Sequence, residues 1–93
     1  MIRLMQHADI HSVFNIEQQV QSHPWSLKQF AEAVDSYQCT VIEQQGQLVG
    51  FCILQPVLDE ANLLLMAVAP DQQGKGLGYQ LLEHSIEIGR ASC

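Results

Sequence analysis

The stretch Val68-Ala69-Pro70-Asp71-Gln72-Gln73-Gly74-Lys75-Gly76-Leu77-Gly78-Tyr79 lies between an apolar run, Ala61 to Val68, and a segment with helical periodicity. Pro70 cannot donate to a sheet ladder, so the run before it ends there as a strand. Gly74, Gly76 and Gly78 let the backbone take positive φ and come close to a bound group. A helix starting here presents unpaired N–H groups and the positive end of its dipole, which suits a diphosphate. Lys75 stands inside this loop and is the only cation between residues 29 and 89. In a chain of formal net charge −6, that placement is local compensation for an anionic ligand.

Downstream, the spacing predicts a helix from Leu77 to about Ile88, with Leu81, Leu82 and Ile86 toward the core and Gly89 as its stop. Gln80, Glu83, His84 and Glu87 fall on its polar side. Upstream, Cys39 to Ile42 and Leu48 to Leu54 read as strands around a Gln45-Gly46 turn. The second run is almost continuously apolar, as in a central strand covered on both faces. Pro56 and the Asp59-Glu60 pair mark the next turn, and Ala61 to Val68 reads as a further buried strand. Before these, Ile2 to Met5 is a short strand, and Ala8 to Gln21 a helix with Ile10, Val13 and Phe14 on one face and Asp9 near its start. Ser22-His23-Pro24 breaks it. Ser26 and Gln29 form a capping box, Trp25 can staple the helix entry, and Leu27, Phe30, Ala31 and Val34 make a core stripe. The order is β-α-α-β-β-β-α, an α/β or α+β layer arrangement around one sheet.

With 93 residues the chain is one domain at most. Hydrophobic residues at 47% and charged residues at 15% favour a packed core over disorder. No apolar run approaches the roughly 18 to 20 residues that span a bilayer, and Met1 to Met5 lacks a secretory apolar stretch. The reading is a cytoplasmic protein without membrane attachment. Four basic residues form no stripe, so nucleic acid is not an expected partner. An acidic surface suits a basic peptide or an amine. Cys39, Cys52 and Cys93 have no metal or disulfide spacing, and no metal is expected.

A P-loop needs four residues between its glycines and then Lys-Ser or Lys-Thr, and a dinucleotide fingerprint needs Gly-x-Gly-x-x-Gly after an early strand. Neither fits. Gln73-Gly74-Lys75-Gly76-Leu77-Gly78 instead resembles the Gln/Arg-x-x-Gly-x-Gly/Ala motif of GNAT-superfamily N-acetyltransferases, with their usual Val-x-Pro before it at Val68 and Pro70. The resemblance implies that acetyl-CoA is the acyl donor. It implies that Gln73, Gly74, Lys75, Gly76, Leu77, Gly78 and Tyr79 grip its diphosphate, and that Met66, Ala67 and Val68 pair with the pantetheine arm. Gln18, Pro24-Trp25-Ser26, Val57 to Ala61 and Leu81-Leu82-Glu83-His84 look like the ribosomal-protein alanine N-acetyltransferase type, and the similarity covers nearly all of residues 1 to 88.

The reaction implied by that resemblance is acetyl transfer to an N-terminal amine, an alanine of a ribosomal protein. A small-molecule amine as acceptor, or a non-catalytic acyl-CoA-binding or assembly module, are the alternatives. A complete domain of this family continues with a strand, a helix and two more strands, which carry a general base and a general acid. Residues 1 to 93 therefore read as the coenzyme-binding part of a single domain, without that acid and base. Glu60 is the remaining candidate for a catalytic carboxylate, against a solvated turn at Asp59-Glu60. Tyr79 reads as phosphate-side or surface, His84 as solvated, His23 as a loop residue and Cys52 as core. Without the later strands, Ala61 to Val68 is an apolar edge that invites a homo-oligomer.

Overall fold

A computed structural model describes residues 1–91. Its elements are β1 (Ile2–Leu4), α1 (Ile10–Val20), α2 (Leu27–Ser36), β2 (Gln38–Gln44), β3 (Gln47–Val57), β4 (Glu60–Val68) and α3 (Leu77–Ala91). The expected order holds, and the four strands form one antiparallel sheet in sequential order β1-β2-β3-β4. The β2–β3 hairpin turns at Gln45 and Gly46, both at positive φ (54° and 79°), the conformation a two-residue hairpin needs.

Alternation along the strands sends side chains to two separate cores. Cys39, Val41, Phe51, Ile53 and Ala67 face α1 and α2, where they meet Val13, Ile16, Phe30 and Ala33. Ile42, Cys52 and Leu54 face α3 and meet Leu77 and Leu81. β3 is thus covered on both sides, which is why its sequence is nearly unbroken apolar. The Ser26–Gln29 capping box is formed in both directions. Just before it, Trp25 lies against Phe30 with ring centroids 5.4 Å apart, and Phe30 meets Phe51 edge-on at 5.5 Å. Arg3 ties β1 to its surroundings: it donates to Asp9 at 2.8 and 2.9 Å and also to Glu43. The guanidinium holds the Asp9 carboxyl below its usual range.

Several expectations need correction. α1 begins at Ile10, after a 3-10 turn at His7–Asp9, because Asp9 is occupied with Arg3 and the Gln6 amide and does not cap the helix. α2 buries Phe30 and Ala33, while Leu27 is exposed; Ala31 and Val34 only flank the core. α3 continues through Gly89 to Ala91, because Gly89 is a packing position and not a stop. A Cβ there would lie 2.6 Å from Gln38 Oε1. Pro56 belongs to β3: β2 ends its pairing at Gln38↔Leu54, so beyond that point the ladder is two-stranded and the missing N–H costs nothing on the β2 side. The turn falls at Leu58-Asp59, with Leu58 at φ 55°.

β4 departs furthest from expectation. Only Ala67 is buried, and the strand is exposed from Glu60 to Leu64, because it is the sheet edge among the described residues and its first half projects past the helices. Cys93 lies outside the described residues.

Candidate functional site

The glycine loop follows the buried end of β4. Ala69 N–H donates to the Val49 carbonyl at 2.8 Å, so the chain is still held to β3 as it leaves the sheet. Pro70–Gln72 then makes a single 3-10 turn. Gln73 folds back, its side-chain amide donating to the Val68 carbonyl at 3.0 Å. That bond closes the loop across its own base. Gly74 and Gly76 have φ of 82° and 78°, where a side chain is strained, and an added Cβ at either would meet nothing within 4 Å. The sequence placed these glycines for backbone reasons, and both positive φ values bear that out.

The first helical bond of α3 is Gln80 N–H to the Gly76 carbonyl, at 3.1 Å. The amides of Leu77, Gly78 and Tyr79 precede it and have no carbonyl one turn back within the helix. They stand at the positive end of a 15-residue helix. Lys75 is exposed beside them, its ammonium donating to Gln72 Oε1 at 3.3 Å. Gly78 sits close to β4: a Cβ would lie 3.7 Å from Val68 and 3.8 Å from Met66. Met66 and Val68 point to this α3 side of the sheet and Ala67 to the other. The donor set of backbone amides, one ammonium and open space above two glycines fits a diphosphate.

Tyr79 is exposed, and the hydrogen bond to Glu83, one turn on, raises its phenol above the usual value. It therefore carries its proton at neutral pH. Among the described residues, Met66 to Val68 and Gln73 to Tyr79 come together as one patch. Glu60 does not join them. It opens β4 at the opposite end, about 20 Å from Met66 along the strand at the usual rise per residue. There it lies with Asp59, Leu58 and Arg90 on the wall of a cavity of about 620 Å³.

Between the two ends β4 is irregular. Ile53 pairs with Leu65 and Leu54 with Leu63, which leaves Leu64 without a partner on β3 as a bulge. Bulges re-aim backbone groups and end regular pairing. No residue pattern in the sequence marks it, since Leu63, Leu64 and Leu65 are identical.

A second missed residue is Glu17, which is fully buried on α1. Its Oε2 accepts the Trp25 N–H at 3.0 Å and so holds the loop before α2, while its Oε1 is buried without a hydrogen-bond partner. The signal was available, because residue 17 continues the Ile10–Val13 stripe by one turn. Elsewhere the structure agrees with the sequence: His84 is exposed, His23 lies in a loop with Nδ1 3.2 Å from Ser22 Oγ, and Cys39 and Cys52 are core. Burial pushes the Cys39 thiol up to about 12 and raises Cys52 as well. Among the described residues there is no His, Cys, Asp or Glu group suited to a metal, and no helix is long and apolar enough to cross a membrane.

Comparison with known proteins places this geometry. The chain is 41% identical over 87 residues to the ribosomal protein bS18-alanine N-acetyltransferase of Escherichia coli strain K12, a match that covers 92% of this chain and 59% of that protein. A putative enzyme of the same name from Bacillus subtilis strain 168 is 31% identical over 90 residues, or 94% of this chain and 60% of that one. The crystal structure of the Escherichia coli ribosomal-protein alanine N-acetyltransferase superposes with a TM-score of 0.85, covering 94% of this chain and 57% of the other. The chain thus spans about three-fifths of the length of the curated relatives it matches. Residues 35–93, from the end of α2 through the glycine loop and α3, match the family described as the acetyltransferase (GNAT) domain. The glycine loop, the antiparallel sheet that carries it and the helix it opens therefore make this chain a member of the GNAT acetyltransferase family.

Proposed function

We propose that residues 1–93 are the coenzyme-binding part of one N-acetyltransferase domain that uses acetyl-CoA, and that the acceptor is an N-terminal amine of a ribosomal protein. The observation that carries the proposal is the set of free amides from Leu77 to Tyr79, beside Lys75 and above two glycines of positive φ. In this reading Gln73, Gly74, Lys75, Gly76, Leu77, Gly78 and Tyr79 hold the diphosphate. Gln73 acts through its bond to Val68 and the others through backbone N–H groups or charge. Met66, Ala67 and Val68 line the path of the pantetheine arm. Acetyl-CoA would supply an activated acyl thioester. The chain's own contribution is to anchor it at one end of β4 and lay it toward the Leu64 bulge, where a re-aimed β4 amide can polarise a carbonyl gaining negative charge.

Glu60 lies beyond the bulge on the same strand and is exposed, so its proposed role is to draw an acceptor ammonium toward the acyl end. The acceptor assignment rests on the names of the relatives; a reaction on a ribosomal protein would take place in the cytoplasm. The apolar edge of β4, with Leu63 and Leu64 exposed, supports a homo-oligomer formed through that strand.

Calorimetric titration with acetyl-CoA tests the proposal. Gly76→Asp places a carboxylate where the diphosphate would sit, and at about 4 Å such a like-charge contact costs on the order of 1 to 4 kcal/mol. Affinity should fall at least about fivefold. Equal affinity in wild type and variant would remove the loop from coenzyme binding. Acetyl transfer to an alanine-starting peptide then separates an active enzyme from a module that only binds the coenzyme.

A further inference from the structure

The face of α3 that meets the sheet is mostly aliphatic, with Leu77, Leu81, Leu82 and Ile86 packed on Ile42, Val49, Cys52 and Leu54. Aliphatic packing resists separation strongly but sliding only weakly, since it has no direction. Set into it is one buried polar contact. Thr40 on β2 and Ser85 on α3 are both fully buried, with their hydroxyl oxygens 2.5 Å apart. Ser85 Oγ donates to the Leu81 carbonyl at 2.6 Å, which uses its only proton. Thr40 must therefore donate to Ser85, because its other acceptor, the Cys52 carbonyl, is 3.4 Å away. At the same height Gln38 donates its side-chain amide to the Ser85 carbonyl at 2.5 Å, and Gly89 leaves room for that side chain. Two residues of β2 thus grip a single residue of α3.

We propose that Thr40 and Gln38, acting through Ser85, are positioning residues that fix the axial register of α3 and so place the amides of Leu77, Gly78 and Tyr79 for the coenzyme diphosphate. The proposal rests on the coenzyme reading above. A helix is rigid along its axis, so a slip at Ser85 reaches Leu77, about two turns away, undiminished. Slipping by one residue also turns the helix by about 100°. Donors that act on a phosphate need placement within about 0.5 Å. A buried hydrogen bond is directional and leaves unsatisfied groups when displaced, which makes it the natural register stop. Thr40 and Gln38 lie far from the glycine motif in sequence and act on it entirely through the helix.

The test uses the full chain and three variants, Thr40→Val, Thr40→Ser and Gln38→Met, at a temperature well below the melting midpoint of each. Thr40→Val should raise the Kd for coenzyme A about three- to tenfold, the value of one lost hydrogen bond, and Thr40→Ser should restore it to within about twofold. Hydrogen exchange should quicken at the hydrogen-bonded amides of α3 from Gln80 to Leu82 and stay unchanged at Phe51 and Ile53. A variant with a lower Tm but an unchanged Kd and uniform exchange overturns the proposal, since that is what a merely structural contact gives. Where Thr40→Val does not fold, Gln38→Met at the rim carries the same readouts. If the wild type binds no coenzyme A, the functional reading fails by itself. The exchange measurement then decides register alone, and uniform or unchanged exchange overturns it.

Discussion

Replacing Gly76 and Gly78 separately by alanine distinguishes the two uses of glycine in the loop. Gly76 sits at φ 78° with nothing within 4 Å of an added Cβ, so alanine there meets no neighbour but is strained by its own backbone. The left-handed conformation costs a non-glycine residue about 1 to 2 kcal/mol. In a domain of this size each kcal/mol lowers Tm by about 4 to 8 °C. Gly78 has no positive φ, and its added Cβ would touch Val68 and Met66 at 3.7 and 3.8 Å, ordinary contact distances. Alanine there also lowers the entropy of the unfolded chain. Thermal melts followed by circular dichroism should show Gly76→Ala melting several degrees below wild type and Gly78→Ala at or above it. Equal losses in both variants, or no loss at Gly76, would refute the argument that Gly76 is there for its backbone while Gly78 leaves room for a methyl against Val68 and Met66.

Local chemistry sets three further outcomes. Ser26→Ala removes the side chain that accepts from the Gln29 N–H, and should cost about 1 kcal/mol in denaturant unfolding. Asp9 is held below its ordinary value of 3.8 first by its hydrogen bond to Arg3. A carboxyl with a depressed folded-state value adds stability above the unfolded value and loses it as pH falls through the folded one. Stability measured from neutral pH downward should therefore decline below about pH 4, and Arg3→Met should flatten that decline. Burial raises both described cysteine thiols, Cys39 to about 12, so alkylation of these two at about pH 8 should be slow in the native protein and fast in denaturant.

The sequence was most informative where backbone demands choose the residue type. Gly74 and Gly76 fall where φ is positive, and the Ser26–Gln29 box falls at the start of α2. Local rules sufficed because each feature is satisfied within a few residues of itself. Tertiary effects were less visible. Gly89 looked like a helix stop by residue type, yet the Gln38 side chain from β2 makes it a packing position inside α3. Glu17 is a carboxylate on the apolar stripe of α1, and its burial depends on the Trp25 amide, a partner that residue type alone does not reveal. The apolar residues of β4 imply more burial than the strand has, because its place at the sheet edge, which the sequence also predicts, leaves Glu60 to Leu64 exposed. The bulge at Leu64 left no sequence mark, because register is set by pairing across strands and not by the identity of three consecutive leucines.

The most direct test is a 15N-resolved NMR titration of the chain with coenzyme A and, separately, with pantetheine, which lacks the diphosphate. Coenzyme A should shift the amides of Gly74 to Tyr79 more than any others, and pantetheine should leave those six nearly unmoved. Unchanged loop amides under coenzyme A, or the same shifts with both compounds, would contradict diphosphate binding at the mouth of α3.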